Sequence, residues 1–128
     1  MTGSRSRHAV LMPDLGPLGE PFLPAVGQVF WVSSLLYSSS DPAPGRPAVV
    51  LLVPAVVSPT ARIQIVTRTH DTAVAGVQHG AELFPTLDLP GVFSQLTSCL
   101  VSSWRPGNVL RAGSLSASVF AQVEERFS

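Results

Sequence analysis

The sequence predicts a mainly β domain, α+β in class, in which a small antiparallel β-barrel is followed by one C-terminal α-helix. Three observations carry this. Between residues 28 and 111, apolar side chains alternate with polar ones or gather in short β-branched runs. Ten glycines and twelve prolines among 128 residues cut the chain into segments of strand length. Helical spacing is found only after Ser116.

Residues 1–26 are rich in Pro and Gly without a period, and read as an N-terminal extension; the domain occupies 27–128. A first strand spans Gln28 to Leu36, with Val29 and Trp31 in the core. SSSDPAPGRP, residues 38–47, is a loop. AVVLLVPAVV, residues 48–57, is too β-branched for a surface helix and reads as a buried strand stopped near Pro54. After the turn at Ser58–Thr60, Ile63, Ile65, Thr67 and Thr69 alternate with Gln64, Val66 and Arg68, a strand with one buried face. Residues 71–91 predict a long loop with a short strand around Glu82–Phe84. A further strand spans Leu96 to Ser102. Arg105–Asn108 make a turn, and Val109–Arg111 a short strand. Ser116 is placed to cap a helix whose Val119, Val123 and Phe127 recur every fourth residue.

Composition excludes several classes. With 45% hydrophobic and 12% charged residues, the chain is not a disordered tail. Cys99 is the sole cysteine, so no disulfide framework exists; a lone cysteine suits a reducing cytoplasm, the expected location, as a small buried hydrophobe. The apolar stretch near the start is cut by Pro13, Gly16, Pro17 and Gly19, unlike a signal peptide. No apolar run approaches the roughly 20 residues that cross a bilayer, so no membrane segment is expected. Eight arginines balance eight acids, and lysine is absent, so the protein is no polycation.

Common catalytic patterns are missing. His8, His70 and His79 lack metal-ligand spacing, GPLG at 16–19 carries no lysine of a phosphate loop, and no G-x-S-x-G elbow occurs; neither metal nor cofactor is expected. The arginines carry more. Arg46, Arg62 and Arg68 lie in an acid-free stretch from Pro42 to His70, and Arg105 and Arg111 in another from Leu89 to Val123. Strands from these stretches, if adjacent, give a cationic face on a neutral protein. Arginine binds phosphate bidentately and stacks on bases, so a few suffice for modest nucleic-acid affinity. The plain structural alternative for Arg46 is a loop arginine answering Asp41.

Three segments, in order, resemble the MazF/PemK family of toxin endoribonucleases. These are Gly27-Gln28-Val29-Phe30-Trp31-Val32, the loop ending Gly45-Arg46-Pro47 before AVVLLV, and the strand IQIVTRTHD; the close GSLSASVFAQVEERF is also similar. The resemblance covers roughly residues 27 to 127. It implies an SH3-like barrel, a homodimer, an antitoxin protein as partner, and cleavage of single-stranded RNA without metal. Carried over, Arg46 and Thr69 serve the cut, with Thr67 as the alternative because both threonines share one strand face. Family practice gives proton transfer to the arginine. Arg62, Arg68, His70 and Arg105 are the expected RNA contacts. The sequence departs from the family at Gln28, where an acid is usual, and in the shortened acid content of the loop before Arg46. The rival reading keeps the barrel and makes it an inactive module that binds protein or nucleic acid.

Overall fold

Alternation along each strand divides the apolar residues into two sets, and the protein buries both. The computed structural model describes residues 12–38, 40–41, 43–71, 73–79 and 90–128. Six strands run β1 (Gln28–Ser33), β2 (Gly45–Leu52), β3 (Arg62–Thr69), β4 (Val77–His79), β5 (Gly91–Leu100) and β6 (Val109–Ser114), followed by helix α1 (Ala117–Phe127). All pair antiparallel in one sheet of order β4-β5-β3-β2-β1-β6. The sheet curls into a half-barrel, the predicted class of a small β-barrel with a C-terminal helix.

One face carries Val29, Trp31, Val49, Val66, Val77 and Phe93, and packs against Val123 of α1. The other carries Phe30, Val32, Val50, Ile63, Ile65 and Cys99, covered by Val101, Trp104 and Val109. Central strands covered on both faces need no polar alternation, which explains the unbroken run in β2. Each fully buried Val or Ile contributes about 1.5–3 kcal/mol over its exposed state. Trp31 and Trp104 are both core residues, Trp104 with its ring edge on Phe30 at 5.0 Å between centroids.

Several boundaries move from their predicted places. β1 stops at Ser33, because Ser33 Oγ accepts the Leu35 N–H and starts a 3₁₀ turn over Ser34–Leu36. β2 begins at Gly45, earlier than predicted, since Gly45, Arg46 and Pro47 already pair with β1; it ends at Leu52, ahead of Pro54. β5 begins at Gly91 and gives way to a 3₁₀ turn at Val101–Ser103. β6 runs on to Ser114. β4 has no counterpart among the predicted strands; its three residues are too few for a period to be visible. The expected strand at residues 82–84 lies outside the described residues.

The helix starts where its cap predicts, the Val119 N–H donating to Ser116 Oγ at 3.4 Å. Residues 15–22 lie along the turn before β6. Gly19 N–H donates to the Pro106 carbonyl, Phe22 N–H to that of Trp104, and Gly107 N–H to that of Leu15, each at 3.0 Å. Gly107 holds φ +95°, a conformation that favours glycine, and Leu18 packs on it. Among the described residues, no helix is long and apolar enough to cross a membrane.

Candidate functional site

The start of β2 and the end of β3 lie side by side, and their register decides which side chains meet. Ala48 faces Thr67 across the two strands. The same register continued by two residues sets Arg46 opposite Thr69, on one face of the sheet. Both line a recess of about 340 Å³, together with Thr67, Tyr37 and Asp41. That volume lies at the lower end of small-ligand sites.

The loop before β2 brings a carboxylate to the arginine. Arg46 Nε donates to Asp41 Oδ2 at 2.8 Å, and Arg46 Nη2 to Asp41 Oδ1 at 3.1 Å. Asp41 Oδ1 also accepts the Ala43 N–H at 2.9 Å, which bends the loop back toward β2. The Arg46 guanidinium, with the Ala43 N–H, holds the Asp41 carboxyl below the usual carboxylate range. Asp41 in turn raises the pKa of Arg46, which stays protonated. The Tyr37 hydroxyl is buried beside the pair, and burial, then the Asp41 charge, push its pKa up.

The two threonines have different surroundings. Thr67 is buried and its Oγ1 donates to the Gln95 carbonyl at 3.3 Å. Thr69 is partly exposed, and its Oγ1 accepts the Asp71 N–H at 3.2 Å. A hydroxyl accepting one bond keeps its proton for another acceptor. Thr69 is therefore the better donor to a ligand bound beside Arg46.

The four expected RNA contacts do not line this recess. Arg62 and Arg68 alternate with Thr67 and Thr69 along β3, so they take the opposite face. Arg62 is exposed and its Nε donates to Ser98 Oγ at 2.9 Å. Arg68 is buried, its Nε donating to His79 Nε2 at 2.9 Å. Arg105 Nε donates to the Gly19 carbonyl at 2.7 Å and ties down the N-terminal segment. His70 follows Thr69 and is exposed. Adjacent strands alone thus do not gather the arginines on one cationic face.

Ser94 and Gln95 also line the recess, and periodicity gives no sign of it. Thr67 pairs with Gln95 but Arg68 pairs with Phe93, which leaves Ser94 as an extra residue in β5. This bulge lets two consecutive residues reach one side. Cys99 lies on the same strand, buried, its thiol pushed up to about 11 mainly by burial, as suits a core residue and not a nucleophile. Among the described residues, no three His, Cys, Asp or Glu side chains cluster as a metal site requires. The chain matches no family model, and no curated protein matches it.

Proposed function

We propose that this protein is a metal-independent endoribonuclease that cuts single-stranded RNA in the recess between β2, β3 and β5. One observation carries the reading: a protonated Arg46 and a hydroxyl-bearing Thr69, on neighbouring strands, share one face of the sheet beside a carboxylate. In RNA the ribose 2′-OH gives up its proton and attacks the adjacent phosphorus while the P–O5′ bond breaks, and the leaving 5′-oxygen takes up a proton from water, so that a 2′,3′-cyclic phosphate and a 5′-OH remain. The substrate supplies its own nucleophile. The protein has to bind the phosphate and stabilise the charge that develops on its non-bridging oxygens.

Arg46 serves as the fixed cation, and Thr69 donates a hydrogen bond to a phosphate oxygen. With its pKa raised by Asp41, Arg46 gives up its proton poorly, so its part is electrostatic. Asp41 is the carboxylate near enough to accept the 2′-OH proton, although its lowered pKa makes it a weak base. Charge stabilisation is then the larger contribution. The reading carries with it a homodimer and an inhibitory protein partner, as the resemblance implies.

The test is long single-stranded RNA incubated with purified protein in chelator, beside Arg46→Ala and Thr69→Ala. We expect cuts ending in cyclic phosphate that both substitutions suppress. Cleavage that survives Arg46→Ala, or no cleavage of any RNA by the wild type, overturns the assignment. The pairing of Arg46 with Asp41 favours a second reading, a module that binds without cutting; RNA retained without product supports that one.

A further inference from the structure

We infer that Tyr37 is a positioning residue of the recess: its buried hydroxyl serves as a donor to the Asp41 carboxylate and, through it, aims the Arg46 guanidinium at the phosphate. The inference rests on the proposed RNA cleavage and adds a group whose reactive atom the substrate does not touch. The loop that carries Tyr37 and Asp41 is closed at its base. Ser34 N–H donates to the Pro44 carbonyl at 2.9 Å, and the Ser34 carbonyl accepts the N–H groups of Tyr37 at 3.1 Å and Ser38 at 2.7 Å. Asp41 N–H donates to the Ser38 carbonyl at 3.2 Å, which ties the backbone of Asp41 to the turn that bears Tyr37. The Tyr37 side chain packs on the core face that holds Phe30, Val32 and Ala48, so its hydroxyl stands on a close-packed base.

A carboxylate offers about four acceptor positions. Arg46 and the loop fill three of them: Asp41 Oδ2 accepts Arg46 Nε, and Oδ1 accepts both Arg46 Nη2 and the Ala43 N–H. The Asp41 side chain is only 11% exposed, so water is a poor source of the fourth bond. The Tyr37 hydroxyl, buried beside it, is the protein's own source. Its pKa is raised, by burial first and the Asp41 charge next, so it keeps the proton that it offers. Arg46 lowers the Asp41 pKa most, and the Tyr37 hydroxyl adds to that effect, the sign that a donor gives. Among the described residues, Arg46 and Tyr37 are the titratable groups that face Asp41; the recess residues on β3 and β5, Thr67, Thr69, Ser94 and Gln95, are uncharged. A carboxylate held at both oxygens does not swing, and the guanidinium paired with it keeps one plane.

The experiment uses the whole chain as wild type, Tyr37→Phe, Asp41→Asn and the double variant. Phenylalanine keeps the ring in the core and removes only the hydroxyl. Carbon-13 NMR follows the Asp41 carboxyl through an acid titration, its signal assigned by its loss in Asp41→Asn. In Tyr37→Phe we expect that carboxyl to titrate at higher pH than in the wild type, because its ionised form has lost a donor. On single-stranded RNA, kcat should fall by about ten-fold, the order of one hydrogen bond to a charged group, with KM changed less than about two-fold. The double variant should cut no more slowly than Asp41→Asn alone, since Tyr37 acts through Asp41. An Asp41 titration that Tyr37→Phe does not move, an unchanged kcat, or losses that multiply in the double variant overturns this inference and leaves the endoribonuclease reading standing. A wild type that cuts no RNA overturns both.

Discussion

Asp41 and Arg46 are joined by two hydrogen bonds, at 2.8 and 3.1 Å, that fix the guanidinium plane at the mouth of the recess. Paired N–H donors on one carboxylate give direction as well as energy. Asp41 therefore acts on any ligand through Arg46 as well as directly.

From this pairing follows a pH dependence with a definite sign. Asp41 has a lowered pKa in the folded protein, so its contribution is fully present above the unfolded carboxylate value. It is lost as pH falls through the folded value. Asp41→Asn is expected to cost about 1–2 kcal/mol at neutral pH, the range for hydrogen bonds to a charged group partly open to water. In strong acid the two proteins should converge. Urea unfolding across the acid range measures both limits; a gap that persists below the folded pKa contradicts the account.

The sheet is readable in the sequence because β2 and β3 obey simple patterns: a continuous apolar run covered on both faces, and a strict alternation. The same alternation separates Arg46 from Arg62 and Arg68, since those two oppose the threonines along β3. Acid-free sequence is a poor guide to charge, because Asp41 stands just before the stretch and folds back onto Arg46. Ser94 and Gln95 stay hidden for another reason. A one-residue bulge reverses which side chains face the recess, and no local composition marks it. β4 depends on pairing with β5 through Val77↔Phe93, a contact invisible to any window of sequence.

Thr67 and Thr69 should separate stability from activity. Removing the Thr69 hydroxyl, as Thr69→Val, should lower the rate of RNA cleavage by about 10²–10³, the range for losing one donor to a developing oxyanion, with little change in folding, because its bond from the exposed Asp71 N–H is replaced by water. Thr67→Val breaks the bond to the Gln95 carbonyl and should cost about 1 kcal/mol of stability. Paired cleavage assays and thermal melts on the two variants test the division. Equal losses of activity at near-equal stability count against it.

Gly91 is constrained by space. A Cβ there strikes the Arg68 guanidinium, which is buried and hydrogen-bonded to His79. The side chain has little room to retreat, so Gly91→Ala is expected to destabilise the protein by about 1–3 kcal/mol. Chemical denaturation of that variant measures the cost. A neutral result shows that Arg68 can shift within the core.

Arg105 tests the attachment of the N-terminal segment. Its Nε bond to the Gly19 carbonyl is short, and three backbone bonds flank it between residues 15–22 and 104–107. Phe22 also packs on Phe30, with ring centroids 6.0 Å apart. Arg105→Gln removes the charge but leaves the backbone bonds and the aromatic contact. The loss in global stability should therefore stay near 1 kcal/mol. The local effect should be larger, because this segment opens without unfolding the sheet. Amide hydrogen exchange at Gly19 and Phe22 should quicken at least several-fold, while core amides such as Val66 keep their protection. RNA affinity should change less than about two-fold, because only an arginine that neutralises a phosphate weakens binding and flattens its salt dependence when replaced. A clear fall in the salt slope for Arg105→Gln would instead make this arginine part of the RNA surface.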